Sequence, residues 1–329
     1  MKPILILFLF CFQTGFTQVT QVRDTILMGS RFKLTVVAPS NQEATRSINL
    51  AIAEIVRIEQ LISDWKPYSQ LSKINQNAGI TPVEVDKELV DLIIRAKKYS
   101  ENTQGAFDIS FAAMEKIWKF DDSMETLPTP SEIAHAIRNV GYQNIQVNAQ
   151  NNTVFLIKKG MKIGFGSIGK GYAADRAVQV LKSLHIPAAL VDASGDLAFY
   201  GHPKPNTNWT IGITNPVKND KIISKLNLTN AAVTTSGDYQ KYVYIGNTRY
   251  SHIINPKTGW PSTGLTSVTV IGPNAEFANA CSTSIMVLGL KEGKEFINKH
   301  PEYAALFITN SGKKYESKNY KKVLKKYKN

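Results

Sequence analysis

The stretch Gly164-Phe165-Gly166-Ser167-Ile168-Gly169-Lys170-Gly171, running straight into an Ala-rich helical segment from Tyr172, constrains the fold more than any other part of the chain. It matches G-x-G-x-x-G ahead of a helix, and Asp192 ends the next strand-like run about where a ribose-binding acid sits in a dinucleotide fold. A Rossmann first strand is a continuous buried hydrophobic run, however, and Lys158, Lys159, Gly160 and Lys162 interrupt this one. The same letters spell G-x-x-x-x-G-K, yet Gly171 stands where a P-loop needs a hydroxyl for magnesium. Both nucleotide folds are therefore set aside. Closely spaced glycines still let a ligand approach the backbone, and a helix N-terminus with Lys170 favours an anion such as a phosphate.

The rest of the chain mixes helical and strand periods. Phe32, Leu34 and Val36 alternate within residues 26–37, read as one strand entered through Met28-Gly29-Ser30. Ile48, Ile52, Ile55, Ile58 and Ile62 give residues 41–63 one buried helical face, and a second amphipathic helix fits residues 87–103, closed by Gly105. A hairpin is expected over 145–157 and a strand over 188–191, with further short strands at 209–214, 241–245 and 266–271. No internal repeat or Gly/Ser/Pro-rich linker divides these elements, so they predict one compact α+β unit.

Outside that unit the ends differ in kind. Met1-Lys2-Pro3, an apolar run to Phe12 and a small-residue exit read as a secretory signal over 1–17, too short to span a bilayer. Without it, Cys281 is the sole cysteine, expected as a small buried hydrophobe. The folded unit is assigned to 18–312. Residues 313–329 carry eight Lys against Glu316, more than half of the net +13, and read as a solvated tail with possible peripheral contact to anionic lipid. No RNP, zinc-finger or helix-turn-helix pattern accompanies that charge, which argues against nucleic acid.

Two C-terminal segments carry chemistry. Ser251-His252-Ile253-Ile254-Asn255-Pro256-Lys257-Thr258-Gly259 sets an imidazole beside a Pro-turn, a candidate general base. In Ala278-Asn279-Ala280-Cys281-Ser282-Thr283, on a helix starting near Phe277, Asn279 and Thr283 share a face and offer oxygen ligands of the kind magnesium takes. Ordinary caps and satisfied polar residues produce the same patterns. Trp65 and Tyr68 bracket Pro67, where an aromatic stacks on a flat ligand or packs over a sheet edge. Asp108 either caps the element after it or hydrogen-bonds a ligand.

Taken in chain order, Met28-Gly29-Ser30, the loop 65–75, Gly105-Ala106-Phe107-Asp108-Ile109-Ser110, residues 168–176 and 191–196, Thr235-Ser236-Gly237-Asp238-Tyr239, residues 252–259 and 278–283 resemble the ApbE family, the FAD:protein FMN transferases. The resemblance implies an α+β fold of mixed or antiparallel sheets flanked by helices. It implies an exported bacterial enzyme, periplasmic or on the outer face of the cytoplasmic membrane. With Mg2+, such an enzyme transfers the FMN half of FAD to a threonine hydroxyl and releases AMP, its partners being flavin-accepting subunits of membrane redox complexes. Matched residue by residue, His252 would be the base. Met28, Trp65, Ala106, Phe107, Asp108, Lys170, Arg176 and Ile253 would line the FAD site. The Ala173 carbonyl with the side chains of Asn279, Ser282 and Thr283 would hold the metal. Trp65 replaces the family's usual ring-stacking Tyr, Asn279 and Asn255 replace usual Asp residues, and Ser194 replaces a usual Gly. The charge lost at 279 should weaken a magnesium site, which leaves hydrolysis of FAD to FMN and AMP, or flavin binding without turnover, as alternatives.

Overall fold

The computed structural model describes residues 18–328 apart from 122, 217–220 and 239–240, so the predicted signal segment lies outside the described residues, as does Tyr239. β1 (Val19–Leu27) and β2 (Ser30–Ala38) form an antiparallel hairpin through Met28 and Gly29, whose φ angles of 50° and 66° are those of a type I′ turn. The predicted single strand is thus the end of one strand and the whole of the next. Its buried face is the expected one, with Phe32, Leu34 and Val36 fully inside.

α1 (Asn41–Ile62) starts at Ser40, whose hydroxyl accepts from Glu43 N, and buries Ile48, Ile55, Ile58 and Ile62. α2 (Gln70–Gln76) follows the loop of Trp65. β3 (Val83–Glu84), β4 (Ile145–Asn148) and β5 (Thr153–Leu156) make a small three-stranded sheet. Between β3 and β4 run α3 (Lys87–Asn102), a 3-10 turn (Ile109–Ala113) and α4 (Pro130–Ala136), the last closed by a Thr129–Glu132 capping box.

α5 (Gly169–Ser183) begins at the glycine-rich stretch. After it come β6 (Ala188–Ala193), β7 (Asp196–Tyr200), β8 (Trp209–Thr214), β9 (Ile222–Leu228), β10 (Ala231–Gly237), β11 (Tyr242–Ile245), β12 (Thr248–Ser251) and β13 (Leu265–Gly272). α6 (Ala275–Asn298), β14 (Ala304–Thr309), β15 (Lys314–Glu316) and α7 (Tyr320–Lys326) complete the chain. The main sheet has the order β1-β2-β6-β7-β10-β13-β14-β15, with every pairing antiparallel.

Its central strands are buried on both faces, which explains why β13 reads as a continuous apolar and Thr/Ser run and not as an alternation. Val268, Val270 and Phe307 pack under α6, while Ile271, Leu306 and Ile308 face the β8–β9 hairpin and α7. This second core corrects the reading of residues 313–329 as a solvated tail. β15 pairs with β14, and Tyr320, Val323 and Tyr327 form a buried stripe at helical spacing, with Lys321, Lys322 and Lys325 pointing outward. The eight lysines had masked that stripe. Cys281 is free and buried, as expected. No helix among the described residues is long and apolar enough to cross a membrane.

Two contacts lock α5 against α6. A Cβ at Gly171 would lie 2.4 Å from the Ala275 carbonyl oxygen, so no hydroxyl-bearing residue of a P-loop fits there. One turn on, Asp175 accepts from Ala275 N at 2.9 Å and Glu276 N at 2.8 Å, capping α6 from the neighbouring helix, and burial pushes its carboxyl up to about 7. Gly171→Ala is expected to cost about 1–3 kcal/mol through overpacking, seen as a thermal midpoint lowered by roughly 2–4 °C per kcal/mol. An unchanged midpoint would show that the helices can part without penalty.

Candidate active site

At the ends of β7 and β10, between the first turn of α5 and the middle of α6, lies a cavity of 470 Å³. Gly166, Ser167 and Lys170 form its floor at the start of α5, a helix with no side-chain cap of its own. That leaves the helix N-terminus free to face an anion. Ala106, Phe107 and Asp108 form one wall and His252, Ile253 and Ile254 another. A second cavity of 610 Å³ shares Asp64, Trp65, Gly166 and Lys170 with the first and reaches Met28 in the β1–β2 turn. The two together have the length and the aromatic, glycine-rich lining suited to a dinucleotide.

Oxygen atoms converge opposite Lys170. Asp196, 2% exposed, accepts from the Asn279 amide nitrogen at 3.2 Å and pairs with Lys170 Nζ at 3.1 Å. Having turned its Nδ2 to Asp196, Asn279 presents Oδ1, which is buried and has no hydrogen-bond partner. One helical turn on, Thr283 Oγ1 lies 3.1 Å from Ser236 Oγ, and all four residues line the cavity. Burial pushes the Asp196 carboxyl above its ordinary range although Lys170 pulls the other way. The carboxylate is therefore under-compensated, and with an orphaned amide oxygen beside it the cluster fits a hard divalent cation.

His252 directly follows β12, and its ring packs edge-on against Phe120, with the centroids 6.4 Å apart. Its Nδ1 lies 2.9 Å from the Lys241 carbonyl oxygen. A carbonyl only accepts, so the proton sits on Nδ1 and the Nε2 lone pair is left for a substrate. Burial holds the imidazole below its usual pKa, so the ring is neutral at pH 7 and able to take a proton. The Pro-turn behind it is fixed by Asn255, whose Oδ1 accepts from Lys257 N at 2.9 Å, while Gly259 with φ 71° closes against Ile133. An amide oxygen serves that turn as well as a carboxylate would.

The structure thus brings Trp65, Ala106, Phe107, Asp108, Lys170, His252, Ile253, Asn279 and Thr283 to one cavity and Met28 to its extension. Asp108 resolves as a cap. Its carboxylate accepts from Ser110 N at 2.7 Å, Ser110 Oγ at 2.6 Å and Tyr142 N at 2.8 Å, so it shapes the wall without a free oxygen for a ligand. Trp65 is 81% exposed at the mouth, with Lys116 Nζ 5.3 Å above its ring.

Three expected residues lie elsewhere. Arg176 sits six positions beyond Lys170, about 240° round the helix. It pairs there with Glu54 at 2.9 Å and approaches Glu88 at 3.7 Å on the side of α1 and α3. Ala173, fully buried in the second turn of α5, does not line the cavity with its side chain, which leaves only its backbone carbonyl for a cation. Ser282 is turned behind the cavity wall, donating to Asn279 O at 3.0 Å and sitting 2.8 Å from Ser236 Oγ. It positions Ser236, which the sequence reading had not singled out, and Asp196 was missed as a site residue for the same reason. Asp196 begins β7 and Ser236 lies near the end of β10, and only the cross-strand register brings them to the helix bearing Asn279.

A family model described as the ApbE family matches residues 28–307. An FAD:protein FMN transferase of Treponema pallidum is 30% identical over 87% of this chain and 83% of its own length. One from Klebsiella pneumoniae is 28% identical over 90% and 86%. Among solved structures, the ApbE protein of Thermotoga maritima superposes with a TM-score of 0.83 at 31% identity, over 93% of this chain and 99% of that one. The flavinyl transferase ApbE of Pseudomonas stutzeri, in its apo form, gives 0.82 at 25% identity, over 94% and 98%.

Asn279→Asp would set a second carboxylate against buried Asp196. In chelator the variant is expected to melt below the parent by an amount corresponding to about 1–3 kcal/mol, and to recover most of that on adding magnesium or manganese. Equal melting with and without the ion would show that these oxygens do not meet a cation.

Proposed function

The chain belongs to the ApbE family, and from that premise we propose that it is an FAD:protein FMN transferase that moves FMN from FAD to a threonine hydroxyl of a target flavoprotein. One observation carries the reading: a neutral imidazole with a free Nε2, the Lys170-bearing N-terminus of α5 and a buried oxygen cluster all face a single cavity. Phosphoryl-type transfer with cleavage of a diphosphate needs those three parts, namely a base for the attacking hydroxyl, fixed positive charge for the phosphoryl oxygens and a means of offsetting the leaving group's charge.

His252 Nε2 takes the proton of the threonine hydroxyl as its oxygen forms a bond to the FMN-side phosphorus. The bridging P–O bond breaks, and AMP leaves with the electron pair. Lys170 and the N-terminus of α5 hold the diphosphate, and Trp65 at the mouth offers a face to the isoalloxazine. The walls formed by Ala106, Phe107 and Ile253 restrict water at the reacting phosphorus. Asn279 Oδ1, Thr283 Oγ1, Ser236 Oγ and the Asp196 carboxylate would hold Mg2+, which when bound neutralises developing charge on the phosphoryl oxygens. The signal-like N-terminal segment supports export, with targets among flavin-carrying subunits outside the cytoplasm.

Incubation of the protein with FAD, Mg2+ and a threonine-bearing flavoprotein acceptor should give an acceptor heavier by one FMN, detected by mass spectrometry, together with one AMP. AMP without acceptor modification would replace transfer by hydrolysis. His252→Ala is expected to retain FAD binding but lose about 10²–10⁴-fold in transfer rate. Because burial disfavours the imidazolium, the acid limb of kcat/KM should lie below the ordinary histidine value of about 6.5, activity being lost only as His252 gains its proton at lower pH. A limb above that value would assign the base to another group.

A further inference from the structure

Adjoining the first cavity at His252 lies a third hollow, of 960 Å³, open to solvent. The two share Asp64, Trp65, Phe111, Ala112, His252 and Ile254, so the imidazole stands in the partition between them. We propose that this groove is the docking site of the acceptor polypeptide, and that it takes an extended, acidic segment carrying the reactive hydroxyl. The proposal rests on the FMN-transfer reading and goes beyond it by placing and characterising the partner.

Topology argues for the occupant. A hydroxyl that delivers its proton to His252 while attacking a phosphorus in the first cavity must enter from the side the nucleotide does not fill, and the groove reaches the same ring. Its 960 Å³ volume and exposed mouth suit a segment of polypeptide better than a compact small molecule. Trp118, Phe120, Met114 and Ile254 form an apolar wall, with Trp118 anchored by donation from Nε1 to the Gly259 carbonyl at 2.9 Å. Such a wall takes alternate side chains of an extended segment.

Charge sets the chemistry of that segment. Lys116, Lys162 and Lys241 line the groove with Asp64, Glu115 and Asp121. Glu115 is taken up by Arg138, whose Nη1 lies 2.5 Å from its carboxylate. Asp121 accepts from Ser123 N and Oγ. With Arg138 counted, four cations meet the three carboxylates, so the groove keeps a net positive charge toward an incoming chain, in a protein of net charge +13. Lys162 is held in place by its neighbour, since Ile163 N donates to Asn75 Oδ1 at 2.8 Å and Asn75 Nδ2 donates to Ile163 O at 2.9 Å.

Three fluorescein-labelled peptides with one central threonine, flanked by Asp/Glu, by Gln or by Lys, test this by anisotropy against the full protein, with FAD binding followed on the same sample by quenching of flavin fluorescence. The acidic peptide should bind at least about ten-fold tighter than its Lys counterpart at low salt. Lys162→Glu should remove that preference, with Lys162→Gln intermediate and FAD binding unchanged in both. Equal binding of the three peptides, binding of none, or displacement of the acidic peptide by FAD would overturn the proposal. Absence of FAD binding by the parent protein would instead remove the flavin reading.

Discussion

Everything at the candidate site depends on how closely α5 approaches α6. The cavity has the N-terminus of one helix and the middle of the other as opposite walls, so a shift between them would separate Lys170 from Asn279 and Thr283. Gly171 permits the approach because it has no Cβ to meet the Ala275 carbonyl, and Asp175 then ties the start of α6 to α5 through two backbone amides. The second feature has a cost. Burial raises the Asp175 carboxyl to about 7, because desolvation costs the charge more than the two backbone hydrogen bonds return. A cap so buried is better understood as fixing geometry than as a large source of stability.

The same closeness creates the site's electrostatic character. Asp196 lies inside the sheet with one cation, Lys170, and one amide, Asn279, as partners. Were residue 279 a carboxylate, two buried acids would share one lysine, and without a bound cation at least one would have to take a proton. With Asn279 a single carboxylate faces Lys170, so the cation-free protein is less strained and the driving force for a cation is correspondingly smaller. Substitution at 279 therefore moves the balance between stability of the free protein and cation affinity, while the oxygen geometry stays.

Much of this was legible in the sequence because local patterns carried it. Helix spans came within a few residues, as for α1 and α3, since apolar spacing and Ser or Asp at their starts mark both face and end. The α+β class followed from helical and strand periods running on without a linker, the antiparallel sheets were implied by the family resemblance, and the lysines before Gly164 removed a Rossmann reading. What escaped was non-local. Ser236 and Asp196 are joined to α6 only by strand register, and the stripe of Tyr320, Val323 and Tyr327 was hidden by its lysines. Arg176 matched a linear motif but not its helical phase: Lys170 reaches the cavity, and position 176, about 240° further round, turns to Glu54 and Glu88.

His252 shows why position alone does not identify a base. Its chemistry is set by a bond made at the other ring nitrogen, to the carbonyl of Lys241 across the β11–β12 hairpin. That bond fixes the tautomer, burial keeps the ring neutral, and the Pro-turn after it is held by Asn255 and by Trp118 through Gly259. Trp118 belongs to the groove and Gly259 to the turn, so the surface that would receive an acceptor is mechanically continuous with the group that would deprotonate it. An acceptor that fills the groove would press on the wall that orients the imidazole, whereas water would meet the ring without that support. Discrimination between protein hydroxyl and water then arises from occupancy of the groove, because the reactive parts are the same for both nucleophiles.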